Sequence, residues 1–566
     1  MSYFLKISKK SNKQYLQIYD SKRVKGKKNC VSTCYKTLGY LDELITNEIP
    51  DPINFYKDKC KKLNLEVKKK KLADKQRKIG EDPIKNLGYC LPNYVFKKGE
   101  TKKYFDLMQL KEGFRFDAYE IFTDLVFARM INPCSKYKTY LDVIPTLNKK
   151  ITYSLDNVYS ALDFFGENYE KITEILQEMT RKFTKLETSS VLFDCSNFYF
   201  EIDKEDEFRK KGPSKENRKD PIIGFGLLLD KNGIPICSKL YPGNQSEKPV
   251  IRQIISEMKT KNNINGRTIQ VADKGLNCAL NIYEALKNGD GYIFSKSVLQ
   301  LEEKEKKRVF LDNDYVENKE NGVTVFKIKS CIDTFTYKVI ENGKIVNSFS
   351  VKEKRIVYFN KKLYDKKMYE LAKIEEKINE LCLSRAKKEE FKNYSSYINM
   401  KVFNADGELL NVDIKAVKNT DKIEKEKKCA GYNMIITSEI NVENQEIYDT
   451  YHNLWKIEET FRIMKTDLNT RPVYVQKIER IHGHFLVCYT AVLVLRILQF
   501  VIFNKKYKSS EILKFITEFK VLWSGDKYVN LIKKDSLLDG VNELLNADLT
   551  NYFLKETTVN RLCSLK

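Results

Sequence analysis

Between residues 188 and 299, short apolar segments alternate with longer segments of helical character, and no other feature restricts the fold as much. The predicted elements of this stretch are, in order, strands at 191–193, 222–229 and 236–241, a helix at about 247–261, a strand at 268–272, a helix at about 277–288 and a strand at 292–294. Strands that alternate with helices favour an α/β domain built on one sheet. The run 191–193 is apolar throughout, as expected of a buried central strand.

The next 130 or so residues break this alternation. They are charged and carry strand-like patches at 323–328, 335–339 and 356–359, followed by a long charged helix at about 363–391. The α/β pattern resumes with a strand at 432–437 and a long helix from about 444. We therefore interpret residues 300–429 as an insertion into the sheet domain.

The chain has 566 residues, too many for one hydrophobic core, so several domains are expected. Short strands are predicted within residues 13–40, on either side of a basic turn at 25–28. The predicted domains are a small β-rich element at 1–50, a basic linker and helical segment at 51–102, a helical domain at 103–187, a catalytic domain at 188–299 and 430–500, the insertion at 300–429, and a C-terminal helical region at 501–566.

The formal net charge is +24, and residues 1–100 contain 24 Lys and Arg against 11 Asp and Glu. A basic region of this kind can neutralise DNA phosphates, although lysine-rich composition alone has the same appearance. The apolar stretch 485–503 is interrupted by Arg496 and Gln499, which favours a buried helix over a membrane span. The N-terminal residues show no apolar signal-peptide core. Thirteen scattered cysteines fit a reducing cytoplasm.

Two aspartates directly follow predicted strands. Asp194 follows 191–193, and Asp273 follows 268–272. Open α/β sheets place their active sites at the carboxyl ends of their strands. An aspartate after a strand is also a common turn or helix-capping residue, so neither residue alone indicates a site.

The helix after the last predicted strand carries an unusual stripe of residues. Its members, spaced to share one helix face, are Tyr451, Trp455, Glu458, Arg462 and Lys465. A face that mixes an acid, bases and aromatics is atypical of a core helix. If Glu458 joined Asp194 and Asp273, the three carboxylates would repel one another and would require a cation. Oxygen-only ligands select hard divalent ions, Mg²⁺ or Mn²⁺.

The same segment resembles a known family. Tyr451, Glu458 and Lys465 match the Y-x2-R-x3-E-x6-K signature of bacterial insertion-sequence transposases of the DDE type. Further stretches resemble other motifs of this family: 193–201 its first-Asp strand, 224–235 and 241–247 its next two strands, 271–275 its second-Asp motif, and Pro133-Cys-Ser135-Lys136 a Ser-Lys element of its helical N-terminal region. The resemblance covers roughly residues 120–500.

The resemblance implies a ribonuclease-H-like α/β catalytic core interrupted by a β-rich insertion, with an N-terminal small β plus helical DNA-binding region. It implies that Asp194, Asp273 and Glu458 bind two Mg²⁺ ions, for which Mn²⁺ can substitute, and cut DNA. It further implies double-stranded DNA as the partner, both terminal inverted repeats and target, with Tyr451, Arg462 and Lys465 as DNA contacts. We also expect a homodimer on DNA. The protein is expected in the cytoplasm at the nucleoid, without membrane association.

One position departs from the signature, because Leu454 stands where the family has an arginine that would contact DNA. Either Arg462 takes over that contact or the contact is weakened. Two other functions therefore remain open. One is a decayed or domesticated transposase that binds DNA without cutting it, and the other is a structure-specific nuclease that cuts DNA without joining it.

Overall fold

A computed structural model describes residues 2–10, 12–22, 30–46, 48–73, 83–216, 219–262, 266–341, 343–383, 394–403, 413–525 and 527–564. The basic turn predicted at 25–28 and the end of the helix predicted at 363–391 lie outside these residues. The chain forms two compact units. The terminal unit comprises Met1–Cys90, Pro145–Lys149 and Thr517–Lys566, and the central unit comprises Leu91–Ile144 and Lys150–Ile516.

The strands of the described residues are, in chain order, β1 (Ser2–Lys10), β2 (Lys13–Lys22), β3 (Val31–Tyr40), β4 (Ile84–Asn86), β5 (Ser190–Tyr199), β6 (Ile222–Asp230), β7 (Pro235–Pro242), β8 (Ile269–Ala272), β9 (Gly291–Lys296), β10 (Val316–Glu320), β11 (Val323–Glu341), β12 (Lys344–Asn360), β13 (Ile398–Phe403), β14 (Asp413–Lys418), β15 (Tyr432–Thr437), β16 (Lys520–Trp523), β17 (Tyr528–Asn530) and β18 (Phe553–Leu554).

The α-helices are α1 (Leu41–Leu44), α2 (Pro52–Ala73), α3 (Cys90–Lys98), α4 (Lys102–Gln109), α5 (Ala118–Ile131), α6 (Lys136–Lys138), α7 (Leu155–Glu167), α8 (Tyr169–Arg181), α9 (Lys248–Asn262), α10 (Ala279–Lys287), α11 (Glu303–Phe310), α12 (Lys361–Leu383), α13 (Thr420–Cys429), α14 (Asn444–His452), α15 (Trp455–Arg462), α16 (Ile478–Arg496), α17 (Ser509–Glu518), α18 (Ser536–Leu545) and α19 (Glu556–Ser564).

The terminal unit contains two small sheets. Strands β1, β2 and β3 form an antiparallel sheet, as the alternation at 13–40 predicts, and Leu16 and Ile18 are buried on one face of β2. Strands β18, β17, β16 and β4 form the second sheet. The prediction that residues 501–566 are helical is therefore wrong in part. Strands β16, β17 and β18 have two to four residues each. Such strands are too short to show the alternation of polar and apolar residues that predicts a strand.

The central unit is built on a nine-stranded mixed sheet in the order β10-β11-β12-β15-β9-β8-β5-β6-β7. Strand β5 pairs parallel with β8, and β8 pairs parallel with β9, while the other neighbours are antiparallel. Helix α10 connects the parallel strands β8 and β9 in a βαβ unit, and α9 connects β7 to β8. Every residue of β6 is buried, in keeping with its apolar sequence up to Leu229.

The segment 300–429 contributes strands to this same sheet. Strands β11 and β12 form one long antiparallel hairpin, and β12 pairs with β15, which pairs with β9. The two patches predicted at 323–328 and 335–339 are parts of the single strand β11. At the base of the hairpin the buried carboxylate of Glu353 accepts hydrogen bonds from the hydroxyls of Tyr292 (2.6 Å) and Tyr337 (2.7 Å). The bond from Tyr292 ties the hairpin to β9, and the bond from Tyr337 joins the two strands of the hairpin.

Helix α16 supports the sheet as a buried helix. Among the described residues, the helical segment Ile478–Ile502 is long and apolar enough to cross a membrane, but 83% of its most apolar stretch is buried inside the protein. The prediction of a buried helix is thus confirmed. Arg496 lies inside this segment and is fully buried.

A prediction about stability follows from the contact between α7 and α16. A Cβ atom at Gly166 would overlap the backbone carbonyl of Glu479, so neither helix could keep its position. Replacing Gly166 by Ala is expected to lower the free energy of unfolding by about 1–3 kcal/mol. The measurement is the urea midpoint against that of Gly266→Ala, because nothing lies within 4 Å of a Cβ at that position. Equal midpoints for the two variants would contradict this contact.

Candidate active site

Two aspartates lie side by side on neighbouring strands of the central sheet. The parallel ladder between β5 and β8 ends with Phe193 opposite Ala272. Asp194 and Asp273 directly follow these residues, so their backbones are separated by roughly the 5 Å between adjacent strands. The sequence places Asp194 at the end of its strand, but β5 continues to Tyr199. The prediction that the strand ends before Asp194 is therefore wrong. Only the pairing with β8 ends at Phe193, and β5 continues to pair with β6.

The Asp194 carboxylate is in an environment that disfavours its charge. Its side chain is 25% exposed. The pKa of Asp194 is raised to about 6, mainly by burial and to a lesser extent by the nearby carboxylates of Glu247 and Asp273. The Lys215 ammonium and the backbone N–H of Cys195, which donates to Oδ1 at 2.7 Å, oppose this rise. Asp194 therefore lies close to two other carboxylates and one ammonium group.

Lys215 is the cation among these carboxylates. Its Nζ lies 3.7 Å from Asp194 Oδ1 and 3.6 Å from Glu247 Oε1, and it donates to the Cys195 carbonyl. Burial lowers the pKa of Lys215, but the carboxylates of Asp194 and Glu247 outweigh burial, so the net pKa is raised. The ammonium thus stays charged and offsets part of the repulsion between the acids.

Asp273 is oriented by two hydroxyl groups. Its Oδ1 accepts hydrogen bonds from Ser295 Oγ (2.7 Å) and from the Tyr451 hydroxyl (3.1 Å). Burial raises the pKa of Tyr451, and the Asp273 carboxylate raises it again, so the phenol keeps its proton and donates. The sequence predicts Tyr451 as a DNA contact. In the structure this side chain holds a catalytic candidate in place.

Lys465 lies on the Asp194 side of the site. Its Nζ is 3.2 Å from Glu216 Oε1, and the Arg471 guanidinium pairs with the same carboxylate oxygen. Burial lowers the pKa of Lys465, the nearby Lys215 lowers it further, and Asp194 acts in the opposite direction. Lys465 is thus a partly buried cation close to Asp194, with one surface carboxylate as its partner.

Glu458 is exposed on α15, and its carboxylate has no hydrogen bond or ion pair with any described residue. Arg462 is also exposed, and it forms long ion pairs with Glu459 (3.8 Å) and Asp467 (3.7 Å). The structure therefore brings Tyr451 to Asp273 and Lys465 to Asp194. No contact of Glu458 or Arg462 with either aspartate is observed in the described part of the chain.

The predicted continuous stripe is corrected by a break in the helix. Helix α14 ends at His452 and α15 begins at Trp455, and the backbone N–H of Leu454 bonds to the Tyr451 carbonyl in a three-residue turn. A π-helical turn, Ile463–Asp467, then carries Lys465. The three-residue turn and the π-helical turn differ from an α-helix in the number of residues per turn. Side chains that follow them therefore lie on a different face of the helix. Leu454, at the position of the family's arginine, is buried with 7% exposure and packs into the interior.

Arg496 anchors the helix that carries Glu458. Its guanidinium pairs with Glu459 Oε2 at 2.9 Å and donates to Thr460 Oγ1 (2.9 Å), Gln499 Oε1 (2.6 Å) and the Lys456 carbonyl (3.3 Å). A buried charge is tolerated only when it is paired and hydrogen-bonded. Arg496 therefore fixes α15 relative to α16.

The donor atoms at the site suit a hard divalent ion. Asp194, Asp273 and Glu247 provide carboxylate oxygens only, and Mg²⁺ in proteins commonly takes one or two carboxylates together with substrate phosphates. Within the described ranges, no group of three or more His, Cys, Asp or Glu side chains is arranged to hold a metal ion. The two aspartates fit such an ion as a partial ligand set, to which substrate oxygens would be added.

Several of these residues were not identified from the sequence. Lys215 and Glu216 lie in a polar loop after β5, where no periodicity distinguishes one residue from another. Glu247 is the last residue of the stretch 241–247 that resembles the family, so the resemblance contains a signal for it. Charged residues that meet only through tertiary packing cannot be grouped by their spacing along the chain.

Comparisons with known proteins add little to this geometry. No family model matches the sequence, and no curated protein matches it. Among solved structures the chain is similar to piggyBac transposase in a synaptic complex with hairpin DNA, with a TM-score of 0.37 and 10% sequence identity. The alignment covers 75% of this chain and 78% of that one. A likeness at this TM-score carries no argument for fold or function.

Proposed function

We propose that the chain is a DNA transposase of the DDE type that cuts DNA at the ends of an insertion sequence and joins the freed 3′-hydroxyl to target DNA. The observation that carries the proposal is the pair Asp194 and Asp273, adjacent at parallel strands, with Lys215 and Lys465 near Asp194. Adjacent carboxylates can bind the metal ions of phosphoryl transfer, and nearby lysines can bind the phosphate of the substrate.

Asp194, Asp273 and Glu458 would hold two Mg²⁺ ions. When bound, the ions would supply an activated nucleophile and stabilise the leaving oxygen. Ser295 and Tyr451 orient the Asp273 carboxylate through their hydroxyl groups. Lys465 would bind a DNA phosphate after releasing Glu216, since one ammonium group favours a phosphate over a surface carboxylate that water also solvates. Arg462, exposed and weakly paired, is available for a second phosphate.

The strand arrangement supports a ribonuclease-H-like core. Strands β5, β6 and β7 form an antiparallel meander, and β8 and β9 extend the sheet from the other side of β5 in parallel. In this proposal these strands form the ribonuclease-H-like core, with Asp194 on β5 and Asp273 directly after β8. In this proposal the long hairpin of β11 and β12 belongs to the β-rich insertion and extends the core sheet.

The partners follow from the same proposal. Double-stranded DNA is the substrate, both as terminal inverted repeats and as target, and the net charge of +24 would attract it over long range. Pairing of two transposon ends implies a homodimer on DNA. The protein would act in the cytoplasm, at the nucleoid.

The test is nicking of a duplex that carries the inverted repeat flanking this reading frame. Wild-type protein is expected to nick it with Mg²⁺ or Mn²⁺ and not with EDTA, and Asp194→Asn and Asp273→Asn are expected to leave no measurable nicking. A strand-transfer assay on the same duplex then separates a transposase from a nuclease that cuts without joining. Equal nicking by wild type and Asp194→Asn would refute the site.

One observation favours a second candidate function, a DNA-binding protein derived from a transposase that no longer cuts. Glu458 makes no contact with either aspartate among the described residues, and Leu454 has replaced a DNA-contacting arginine with a buried side chain. Sequence-selective, salt-dependent binding of the repeats without metal-dependent nicking would identify this function.

A further inference from the structure

A cavity of about 300 Å³ lies in the central unit, apart from the two aspartates. One wall is the segment from the end of α5 through α6, another is the loop at 469–475, and α16 closes it. The side chains that matter for its chemistry are Arg129, Ser135, Lys136, Lys138, Tyr474 and His484. Among the residues that the structure describes, no Asp or Glu lines the cavity. Three cationic residues without an acid give it a positive potential.

Lys136 is a buried ammonium with one partner. It is 5% exposed, and its Nζ lies 3.1 Å from His484 Nδ1. His484 Nε2 lies 3.2 Å from the Thr470 carbonyl, which can only accept, so Nε2 carries the imidazole proton and Nδ1 accepts from Lys136. An ammonium group has three donors, and the other two have no partner among the described residues. The pKa of Lys136 is lowered to about 7, mainly by burial and to a lesser extent by the charge of Arg129.

Arg129 adds a second buried cation without an acid. It is 4% exposed and donates to the carbonyls of Cys134 (3.1 Å), Leu468 (3.4 Å) and Asn469 (3.3 Å). These neutral acceptors hold the two walls together but leave the charge uncompensated. Within the described ranges neither Arg129 nor Lys136 forms an ion pair. Buried cations in proteins are normally paired, so their surroundings favour an anion.

We propose that this cavity binds a phosphate group. Its donors are spread over three side chains, as a tetrahedral anion with several acceptor oxygens requires. The Lys136 ammonium has two free donors, the Lys138 side chain is exposed at the rim, and the Ser135 hydroxyl accepts from the Lys138 backbone N–H (3.3 Å) and keeps its own proton to donate. The volume exceeds that of one phosphate, which leaves space for part of the group that bears it.

The loop that forms one wall also reaches the candidate active site. Arg471 lies within this loop and pairs with Glu216, the same carboxylate that Lys465 contacts near Asp194. The cavity wall is therefore connected to the residues around Asp194, which makes a DNA phosphate one candidate occupant of the cavity. Phosphate binding itself does not depend on the catalytic proposal, since it requires no divalent metal.

The first experiment uses inorganic phosphate as the probe. Thermal unfolding of the full chain is followed in phosphate and in chloride at equal ionic strength, with EDTA present. Wild type is expected to be stabilised by phosphate, and Lys138→Gln is expected to need about ten-fold more phosphate for the same shift. The matched control is Lys171→Gln, which removes an exposed lysine of α8 and should behave as wild type. Lys136→Met is expected to show no phosphate stabilisation, and its unfolding in chloride shows whether the variant still folds.

The second experiment distinguishes the source of the phosphate. Binding of a labelled duplex is measured by fluorescence anisotropy, with and without inorganic phosphate at fixed ionic strength. If a DNA phosphate occupies the cavity, phosphate competes with the duplex for wild type and Lys171→Gln, and competes much less for Lys138→Gln. If phosphate stabilises the protein but does not compete, the occupant is a free phosphate or a small phosphorylated molecule. Equal phosphate responses of wild type, Lys138→Gln and Lys136→Met would overturn the proposal whether or not the protein nicks DNA.

Discussion

Replacing Glu458 by Gln is expected to lower the rate of Mg²⁺-dependent nicking at least about a thousand-fold, the loss expected when several kcal/mol of metal-based transition-state stabilisation disappear. The reason lies in the contacts on either side of Glu458 along the chain. Tyr451, before it, bonds to Asp273, and Lys465, after it, lies close to Asp194. Its own carboxylate has no partner among the described residues, so it is available to complete the ligand set when metal and DNA arrive.

Glu247 is the competing candidate for the third acid. It lies near Asp194, since it raises the pKa of that carboxyl, and it shares Lys215 with it at 3.6 Å. If Lys215 is its permanent counter-ion, Glu247→Gln should reduce nicking by about ten-fold or less, through loss of an electrostatic neighbour. The measurement is single-turnover nicking by both variants. Glu446→Gln, which neutralises an exposed acid on α14, serves as the control.

The outcomes separate the two assignments. A large loss in Glu458→Gln with a small one in Glu247→Gln supports the proposed triad. The reverse result would assign the third acid to Glu247 and show that the signature at 451–465 has lost its catalytic residue. Loss in both variants, with unchanged DNA binding, would mean that four carboxylates contribute to metal binding.

The pair of aspartates could be predicted because it depends on local sequence and one rule of topology. Residues 191–193 and 269–272 are strand segments followed directly by acids, and parallel strands bring their ends to one edge. The extension of β5 beyond Asp194 was not predicted. Residues 195–199 pair with β6 and are mostly buried, so polar residues such as Ser196 and Asn197 belong to the strand.

The break between α14 and α15 could not be predicted from composition. Neither Asn453 nor Leu454 is a glycine or proline, and the periodicity of apolar residues continues through them. The break arises in tertiary packing, where Leu454 is buried and Arg496 holds the next turn through Glu459 and Thr460. Long-range contacts of this kind leave no periodic trace in the sequence.

The second large effect concerns stability, because burial disfavours the charged form of the Asp194 carboxylate. The pKa of Asp194 is raised from 3.8 to about 6, which corresponds to at most about 3 kcal/mol. A carboxyl whose folded pKa exceeds its unfolded pKa stabilises the fold below the unfolded value, and this contribution is lost as pH rises through the folded value. In metal-free buffer the protein should therefore lose stability between about pH 4 and pH 6 through this residue.

Asp194→Asn removes that titration. The variant is expected to match wild type in stability near pH 4 and to exceed it by up to about 3 kcal/mol at pH 8, since the uncharged amide keeps the shape of the side chain. Urea midpoints at both pH values give the measurement. Asp142→Asn, which removes an exposed acid of the central unit, corrects for the change in net charge. Adding Mg²⁺ at pH 8 should stabilise wild type and not Asp194→Asn, because a cation offsets the charge that burial disfavours. The opposite result is an Asp194→Asn protein that is less stable than wild type at pH 8 in EDTA. It would show that favourable contacts stabilise the charged carboxylate and that no metal ion is needed to offset its charge.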